Sequence, residues 1–235
     1  MEGSEWVVVY TATFVAFAVQ TTLGFAAGLV GLPILLLALP IATAVAFLSI
    51  FNLCFSLFQL RRARSLIRGE TYRVLAPGTI LGVITGACVL SFAEPDVLKP
   101  ALGIFILLYL AYRLTNPRPL RLSVAIGFLL SLIGGFFAGL FSSGAPPFVV
   151  YLSNRFSEPA EFRANLIGVL AITNLLRPIV LIVTGVLSLE VLRLAAGASL
   201  AFVAALWAGE RVFKRLSKQH FLNAVLAFLA LSALA

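Results

Sequence analysis

The stretch GFFAGLFSSGAPP at residues 135–147 matches the stretch GFAAGLVGLP at residues 24–33, with five of the first seven positions identical. Both stretches interrupt long apolar runs with glycine and proline. Glycine permits close backbone contact and positive φ, and proline removes a backbone donor, so such stretches tend to break helices. We therefore predict one broken helix in each half of the chain.

The composition around these stretches places the chain in a lipid bilayer. Of its 235 residues, 61% are hydrophobic and 11% are charged, and the mean hydropathy is +1.09. Soluble domains carry about 25% charged residues, so a soluble enzyme, a disordered chain and a disulfide scaffold are excluded. The net charge of +8 comes from short loops between apolar runs. Such loops signal membrane topology, and no nucleic-acid partner is expected.

The apolar runs predict ten membrane crossings. The runs cover residues 6–60, 74–92, 97–112, 122–152, 164–185, 189–208 and 221–235. A crossing needs about 20 residues, and basic loops face the cytoplasm, so the first run should hold three crossings and the fourth run two. This count predicts an integral membrane protein with both termini outside. The expected location is the bacterial inner (plasma) membrane. Residues 24–39 and 139–152 are short for crossings, and if they are re-entrant, eight full crossings remain.

Loop charges predict that the two halves are inverted copies. The loop at residues 61–73 is strongly basic, whereas its counterpart at residues 185–190 is nearly neutral. Conversely, the nearly neutral loop at residues 94–99 corresponds to the basic loop at residues 211–218. Equivalent loops of opposite charge lie on opposite sides of a membrane. We predict an all-α polytopic membrane protein with two inverted repeats of about five transmembrane helices each: a first repeat at 1–114, a cytoplasmic linker at 115–121 and a second repeat at 122–235.

Inverted repeats with Gly/Pro-interrupted helices are typical of secondary transporters, which bind substrate near the interruptions. Amide groups at a broken helix start can bind anions, and serine hydroxyls can add hydrogen bonds. The candidate substrate-binding residues in the first half are Gly24, Gly28, Gly31, Pro33 and Asn52; those in the second half are Gly135, Gly139, Ser142, Ser143, Gly144, Pro146, Asn174 and Arg177. The alternative for the glycines is close helix packing through GxxxG-type spacing.

Arg177 is the one charged residue deep within an apolar run, 13 residues beyond Ala164, or about 20 Å at 1.5 Å per residue. A cation at that depth costs roughly 2.5–3.5 kcal/mol on insertion scales and usually faces a cavity or a partner. Pro178 frees the carbonyl of Asn174 next to it. Arg177 is therefore expected either to attract an anion or to bond freed carbonyls and snorkel towards the interface.

All nine acidic residues fall in loops, at the termini or at helix ends. Cation transport and carboxylate proton relays usually need acidic groups at mid-membrane, so a small anionic substrate is favoured. No nucleophile and base pair or paired carboxylates occur, so we predict no enzyme activity, no cofactor and no metal. A transporter of carboxylate anions and a non-transporting membrane scaffold subunit remain open as alternatives.

The two glycine-rich stretches and the helix layout around them resemble the TauE/SafE sulfite exporter family, also called TSUP. The resemblance covers about residues 13–235 and implies a permease for sulfite, thiosulfate or organosulfonates. The first stretch departs from the family habit, because alanine, leucine and valine stand where a denser glycine run is common: Ala26, Ala27, Leu29 and Val30. The expected partners are the anion and membrane lipids, and a homodimer is left open.

Cysteines introduced at Lys99 and Lys214 are predicted to react with impermeant maleimide from opposite sides of the membrane, because inverted copies place equivalent loops on opposite faces. The measurement is labelling in vesicles of known orientation, with the parent cysteines Cys54 and Cys88 replaced by alanine. Labelling of both positions from one side contradicts the inverted repeat.

Overall fold

The computed structural model describes residues 3–114 and 122–215. Within these residues the chain forms nine α-helices and one 3₁₀ turn, and it contains no strand. The helices are α1 (Gly3–Leu23), α2 (Ala27–Leu35), α3 (Ile41–Ala63), α4 (Gly69–Phe92), α5 (Pro95–Leu114), α6 (Val124–Phe141), α7 (Ala145–Arg155), α8 (Pro159–Val183) and α9 (Leu189–Arg215), with the 3₁₀ turn at Arg64–Leu66.

Five of these helices are long and apolar enough to cross a membrane: α3, α4, α6, α8 and α9. Their spans are 18 to 24 residues long, close to the length of about 20 residues that a bilayer core requires. The prediction of an all-helical membrane protein is confirmed at this level. The predicted linker at 115–121 and the predicted last crossing at 221–235 lie outside the described residues.

Two helices are much shorter than a crossing. Helix α2 has nine residues and α7 has eleven, which at 1.5 Å per residue is about 14 Å and 17 Å. The hydrocarbon core is about 30 Å thick, so neither helix can cross it alone. By length, the predicted short segments at 24–39 and 139–152 are not full crossings, and the prediction of ten crossings does not hold for them.

The chain divides into two compact units, and each combines segments from both halves of the sequence. Of the described residues, unit 1 takes in 3–48, 93–114 and 189–215. Unit 2 takes in 49–92 and 122–188.

In unit 1, α1 packs against α2 and α9. Phe17 meets the edge of Phe202 with ring centroids 4.9 Å apart, an arrangement that aromatic pairs prefer. Gly31 brings α2 close to α1, because a methyl group at Gly31 would lie 2.8 Å from the Cβ of Ala16. Small residues therefore let these helices approach closely.

In unit 2, α4 and α6 form a contact of backbone on backbone. A methyl group at Gly82 would lie 2.6 Å from the amide nitrogen of Phe136. One at Gly139 would lie 2.5 Å from the carbonyl oxygen of Val83 and 2.7 Å from the nitrogen of Ala87. Small residues at such contacts are the usual basis of helix association in lipid, and here they fix the end of α6.

The start of α8 anchors the connection between α3 and α4. Asn165 is fully buried, its Oδ1 accepts from the Arg68 amide at 3.0 Å, and its Nδ2 donates to the Leu66 carbonyl at 3.3 Å. The Tyr72 hydroxyl donates to the Asn165 carbonyl at 2.9 Å. Arg68 also forms an ion pair with Glu161. The pair is exposed and contributes little stability, so the buried amide is the main anchor.

Alanine at Gly82 or Gly139 is predicted to lower the thermal unfolding midpoint of the protein in detergent. The added methyl group meets backbone atoms that cannot rotate away, and overpacking of this kind costs about 1–3 kcal/mol. Gly69→Ala is the control, because no atom lies within 4 Å of the added group. Equal midpoints for all three variants would contradict the close α4–α6 contact.

Candidate functional site

The break between α6 and α7 is the centre of the candidate site. Helix α6 ends at Phe141, and Ser142 adopts a left-handed conformation with φ 61° and ψ 20°. The Ser142 amide donates to the Ala138 carbonyl at 3.1 Å. Helix α7 then begins at Ala145 without a side-chain cap. A left-handed residue is the usual way to end a helix, although glycine is the usual choice.

Arg177 of α8 reaches this helix end and is fully buried. Its Nη1 donates to the Ala138 carbonyl at 2.8 Å and its Nε to the Ser49 hydroxyl at 2.7 Å. Its Nη2 lies 3.4 Å from Oδ1 of Asn174. The last turn of a helix carries a partial negative charge, so the guanidinium lies against the favourable end of α6.

The bonds of Arg177 leave its charge without a carboxylate partner among the described residues. All three acceptors are neutral oxygens. Buried charges are usually paired because an isolated ion is costly to desolvate. A guanidinium has five N–H groups, and the bonds above use three of them. Two of its N–H groups are therefore not used by these hydrogen bonds.

Helix α3 supplies a polar face that holds this site together. Ser49, Asn52 and Ser56 follow one another at steps of three and four residues, which places them on one side of the helix. Asn52 Nδ2 donates to the Ser142 hydroxyl at 3.0 Å, and Asn174 Nδ2 donates to the Ser56 hydroxyl at 2.7 Å. The structure thus joins four predicted residues: Asn52, Ser142, Asn174 and Arg177.

Sequence reasoning missed three of the groups that bond them, namely the Ser49 and Ser56 hydroxyls and the Ala138 carbonyl. The serines carried a signal, because they share the three-and-four spacing with Asn52 inside an apolar run. The carbonyl carried none, since every residue has one.

Ser143 adds an unpartnered donor to the break. Its side chain is 5% exposed, and its hydroxyl has no hydrogen-bond partner in the described part of the chain. The amides of α7 contribute less than the sequence suggested. Pro146 and Pro147 follow Ala145 directly, and proline has no N–H. The first turn of α7 therefore offers its dipole and few amide hydrogens.

The predicted glycines of the second half lie at helix contacts. A methyl group at Gly135 would lie 2.5 Å from the carbonyl oxygen of Thr79, and one at Gly144 would lie 2.6 Å from the Cβ of Ala138. Gly139 faces α4 in the same way. These positions agree with the packing alternative that the spacing left open.

The first break lies in unit 1 and is built differently. Gly24 and Ala26 adopt positive φ values of 87° and 91°. Gln20 then caps α2, because its Oε1 accepts from the Ala27 amide at 3.1 Å. Three more predicted residues of this half lie inside α2, which is largely buried: Gly28, Gly31 and Pro33.

The identical residues of the two stretches do not occupy the same position relative to the two helix breaks. Gly28 follows the first break inside α2, whereas its counterpart Gly139 precedes the second break inside α6. The sequence match therefore does not superimpose one break on the other. The inverted repeat remains a prediction from loop charge.

Residues 9–235 match the protein family TauE, described as sulfite exporter TauE/SafE. The chain belongs to this family. The resemblance drawn from the glycine-rich stretches is thereby confirmed. Comparison with curated proteins and with solved structures gave no match.

The TauE/SafE family consists of membrane transporters for sulfur anions such as sulfite, not of enzymes. The chain is accordingly an integral membrane protein whose family implies a small anionic substrate. The buried charged group of the candidate site in unit 2 is a cation, Arg177. Within the described ranges, no group of three acidic, histidine or cysteine side chains could hold a metal ion.

Asn52 and Ser142 are predicted to be energetically coupled, because their hydrogen bond joins α3 to the break. Asn52→Ala and Ser142→Ala together should cost less than the sum of the single variants by about 0.5–1.5 kcal/mol, the value of one hydrogen bond. The measurement is unfolding in detergent followed by circular dichroism.

The control for that cycle pairs Asn52→Ala with Ser153→Ala, since the exposed Ser153 hydroxyl bonds the Val150 carbonyl of its own helix. This pair should be additive. If the Asn52 and Ser142 variants are also additive, their hydrogen bond contributes nothing to the free energy of unfolding.

Proposed function

We propose that this TauE/SafE protein is a secondary transporter of small sulfur oxoanions, namely sulfite, thiosulfate or an organosulfonate, and that the anion binds at Arg177 beside the α6–α7 break. The observation that carries the proposal is a fully buried guanidinium whose described hydrogen bonds all go to neutral oxygens. A fixed cation of this kind is neutralised when an anion enters and is left uncompensated when the anion leaves.

Three groups supply the binding chemistry. Arg177 offers two further N–H groups, and a guanidinium fork fits two oxygens attached to one atom. Ser143 offers its unpartnered hydroxyl. The start of α7 directs the positive end of its dipole towards the break. Asn52, Ser142 and Asn174 hold these groups in place through their hydrogen bonds.

The glycines have a supporting role in this proposal. Gly135, Gly139 and Gly144 allow α6 to approach α4 and α7, which fixes the Ala138 carbonyl and therefore Arg177. Pro146 keeps α7 separate from α6. The residues of the first stretch stay sequence predictions for a second group of contacts: Gly24, Gly28, Gly31 and Pro33.

A guanidinium binds carboxylates as well as sulfur oxoanions. The geometry therefore supports an anionic substrate, and the preference for a sulfur anion rests on the family. A scaffold role is disfavoured because a structural protein gains nothing from an uncompensated buried charge, which costs stability. The orientation of the termini, a homodimer and specific lipid contacts stay predictions from the sequence.

Arg177→Gln is predicted to lower the flux of sulfite or thiosulfate into proteoliposomes at least tenfold, because glutamine keeps hydrogen bonding but removes the charge. The matched control is Arg193→Gln on α9, where the arginine is exposed, and its flux should equal that of the parent. Normal flux in Arg177→Gln excludes Arg177 from the site.

A thermal shift measurement tests binding separately from flux. A ligand at one hundred times its Kd stabilises a protein by about 2.7 kcal/mol, so sulfite, thiosulfate or methanesulfonate should raise the unfolding midpoint of the parent and of Arg193→Gln. The shift should vanish in Arg177→Gln. A shift with carboxylates alone would assign the protein to the carboxylate alternative.

A further inference from the structure

A groove of about 320 Å³ opens in unit 2 where α3 ends and α8 begins. Its floor is the buried contact of Ala63, Ala164 and Ile167, and Gln59 and Arg163 contribute polar groups to its wall. The groove lies at the arginine-rich end of the unit, which the positive-inside rule places in the cytoplasm. The site proposed above does not use it.

The groove and the buried Arg177 lie on the same faces of the same two helices. On α3, Gln59 continues the face of Ser56, Asn52 and Ser49 at steps of three, four and three residues. Residues spaced in this way share one side of a helix. Ten residues separate Gln59 from Ser49, which is about 15 Å of helix.

Helix α8 repeats this arrangement in the opposite direction. Arg163 and Ile167 line the groove, and Asn174 and Arg177 follow on the same face at steps of seven and three residues. The two faces meet, because Asn174 bonds Ser56 at 2.7 Å and Arg177 bonds Ser49 at 2.7 Å. The groove and the guanidinium are therefore the two ends of one helix contact.

The Ser56–Asn174 bond lies between those ends. Ser56 is 4% exposed and Asn174 is 7% exposed, so this pair closes the contact at its middle. Along α3 the order is Gln59 in the groove, Ser56 at the bonded pair, Asn52 at the break and Ser49 at Arg177. The Ser56–Asn174 hydrogen bond is the first side-chain bond that α3 makes with α8 on the way from the groove to Arg177.

We propose that the groove is the entrance by which the anion reaches Arg177, with Gln59 and Arg163 as its first contacts and the Ser56–Asn174 bond as the closed gate. This rests on the proposed anion site and adds its route. Two exposed arginines next to groove residues in the chain, Arg61 and Arg64, raise the local concentration of anions. Once an anion has passed the gate, the buried guanidinium of Arg177 attracts it in place of the surface arginines.

Labelling of single cysteines with an impermeant maleimide tests the route without any transport. The background carries Cys54→Ala and Cys88→Ala, and the probes are Gln59→Cys in the groove and Ser49→Cys beyond the gate. Added at the arginine-rich side of oriented vesicles, the reagent should label Gln59→Cys at least tenfold faster than Ser49→Cys.

Substitutions of Ser56 at the gate should then change the labelling rate of Ser49→Cys and leave that of Gln59→Cys unchanged. Ser56→Ala, which removes the bond, should speed labelling of Ser49→Cys severalfold; Ser56→Leu, which fills the gap, should slow it. Ser56→Thr keeps the hydroxyl and adds a methyl group, so it should also slow the labelling of Ser49→Cys. Leu57→Ala is the control, since Leu57 is 53% exposed and lies on another face of α3.

Labelling of Ser49→Cys that is unaffected by all three Ser56 variants overturns the entrance, as does a Gln59→Cys probe that fails to react from the arginine-rich side. The two proposals fail separately. If labelling follows the gate variants while Arg177→Gln transports normally, the anion site is wrong and the route stands. If Arg177→Gln abolishes flux while labelling ignores Ser56, the site stands and the route is wrong.

Discussion

The structure of unit 2 depends on one interaction, the contact between the buried guanidinium of Arg177 and the carbonyl of Ala138 at the end of α6. The carbonyl belongs to a helix end, where backbone dipoles add to a partial negative charge. That charge makes the burial of arginine tolerable without a carboxylate. A carboxylate in the same place would have cancelled the positive charge, and an anion would then gain little by approaching.

The close contact of α4 and α6 makes this interaction possible. Gly82 and Gly139 bring the two backbones together at a distance that no larger side chain allows. Because α6 cannot shift along α4 without backbone collisions, the Ala138 carbonyl is held at a fixed depth. The glycines therefore act on the proposed anion site by fixing the position of α6. Packing was one of the two interpretations that their spacing allowed, and the other was direct contact with substrate.

The sequence predicted the class of fold, and it singled out four of the residues that are hydrogen-bonded around Arg177 and the α6–α7 break, through different signals. Hydropathy identified a helical membrane protein because twenty apolar residues have few alternatives in lipid. Arg177 and Asn174 were found because polar groups are rare at that depth. Ser49 and Ser56 were missed because serine is common in membrane helices, and its role can be identified only when its hydrogen-bond partner is known. The lengths of α2 and α7 were missed as well, since composition shows where a helix is interrupted but not how many residues the interruption removes.

The double proline after Gly144 has a mechanical consequence. Joining α6 to α7 in one continuous helix would put Pro146 and Pro147 in a helix interior, where each costs about 3 kcal/mol or more. The joint at residues 142–144 therefore cannot become part of a continuous helix without that cost. The joint at residues 24–26 has no proline at the start of its second helix, since Pro33 is the seventh residue of α2. The positive φ values of Gly24 and Ala26 and the hydrogen bond from the Ala27 amide to Gln20 hold this joint instead. Proline thus excludes the second joint from a continuous helix, whereas no proline does so at the start of α2, so the two halves of the chain differ in the chemistry that keeps their helices apart.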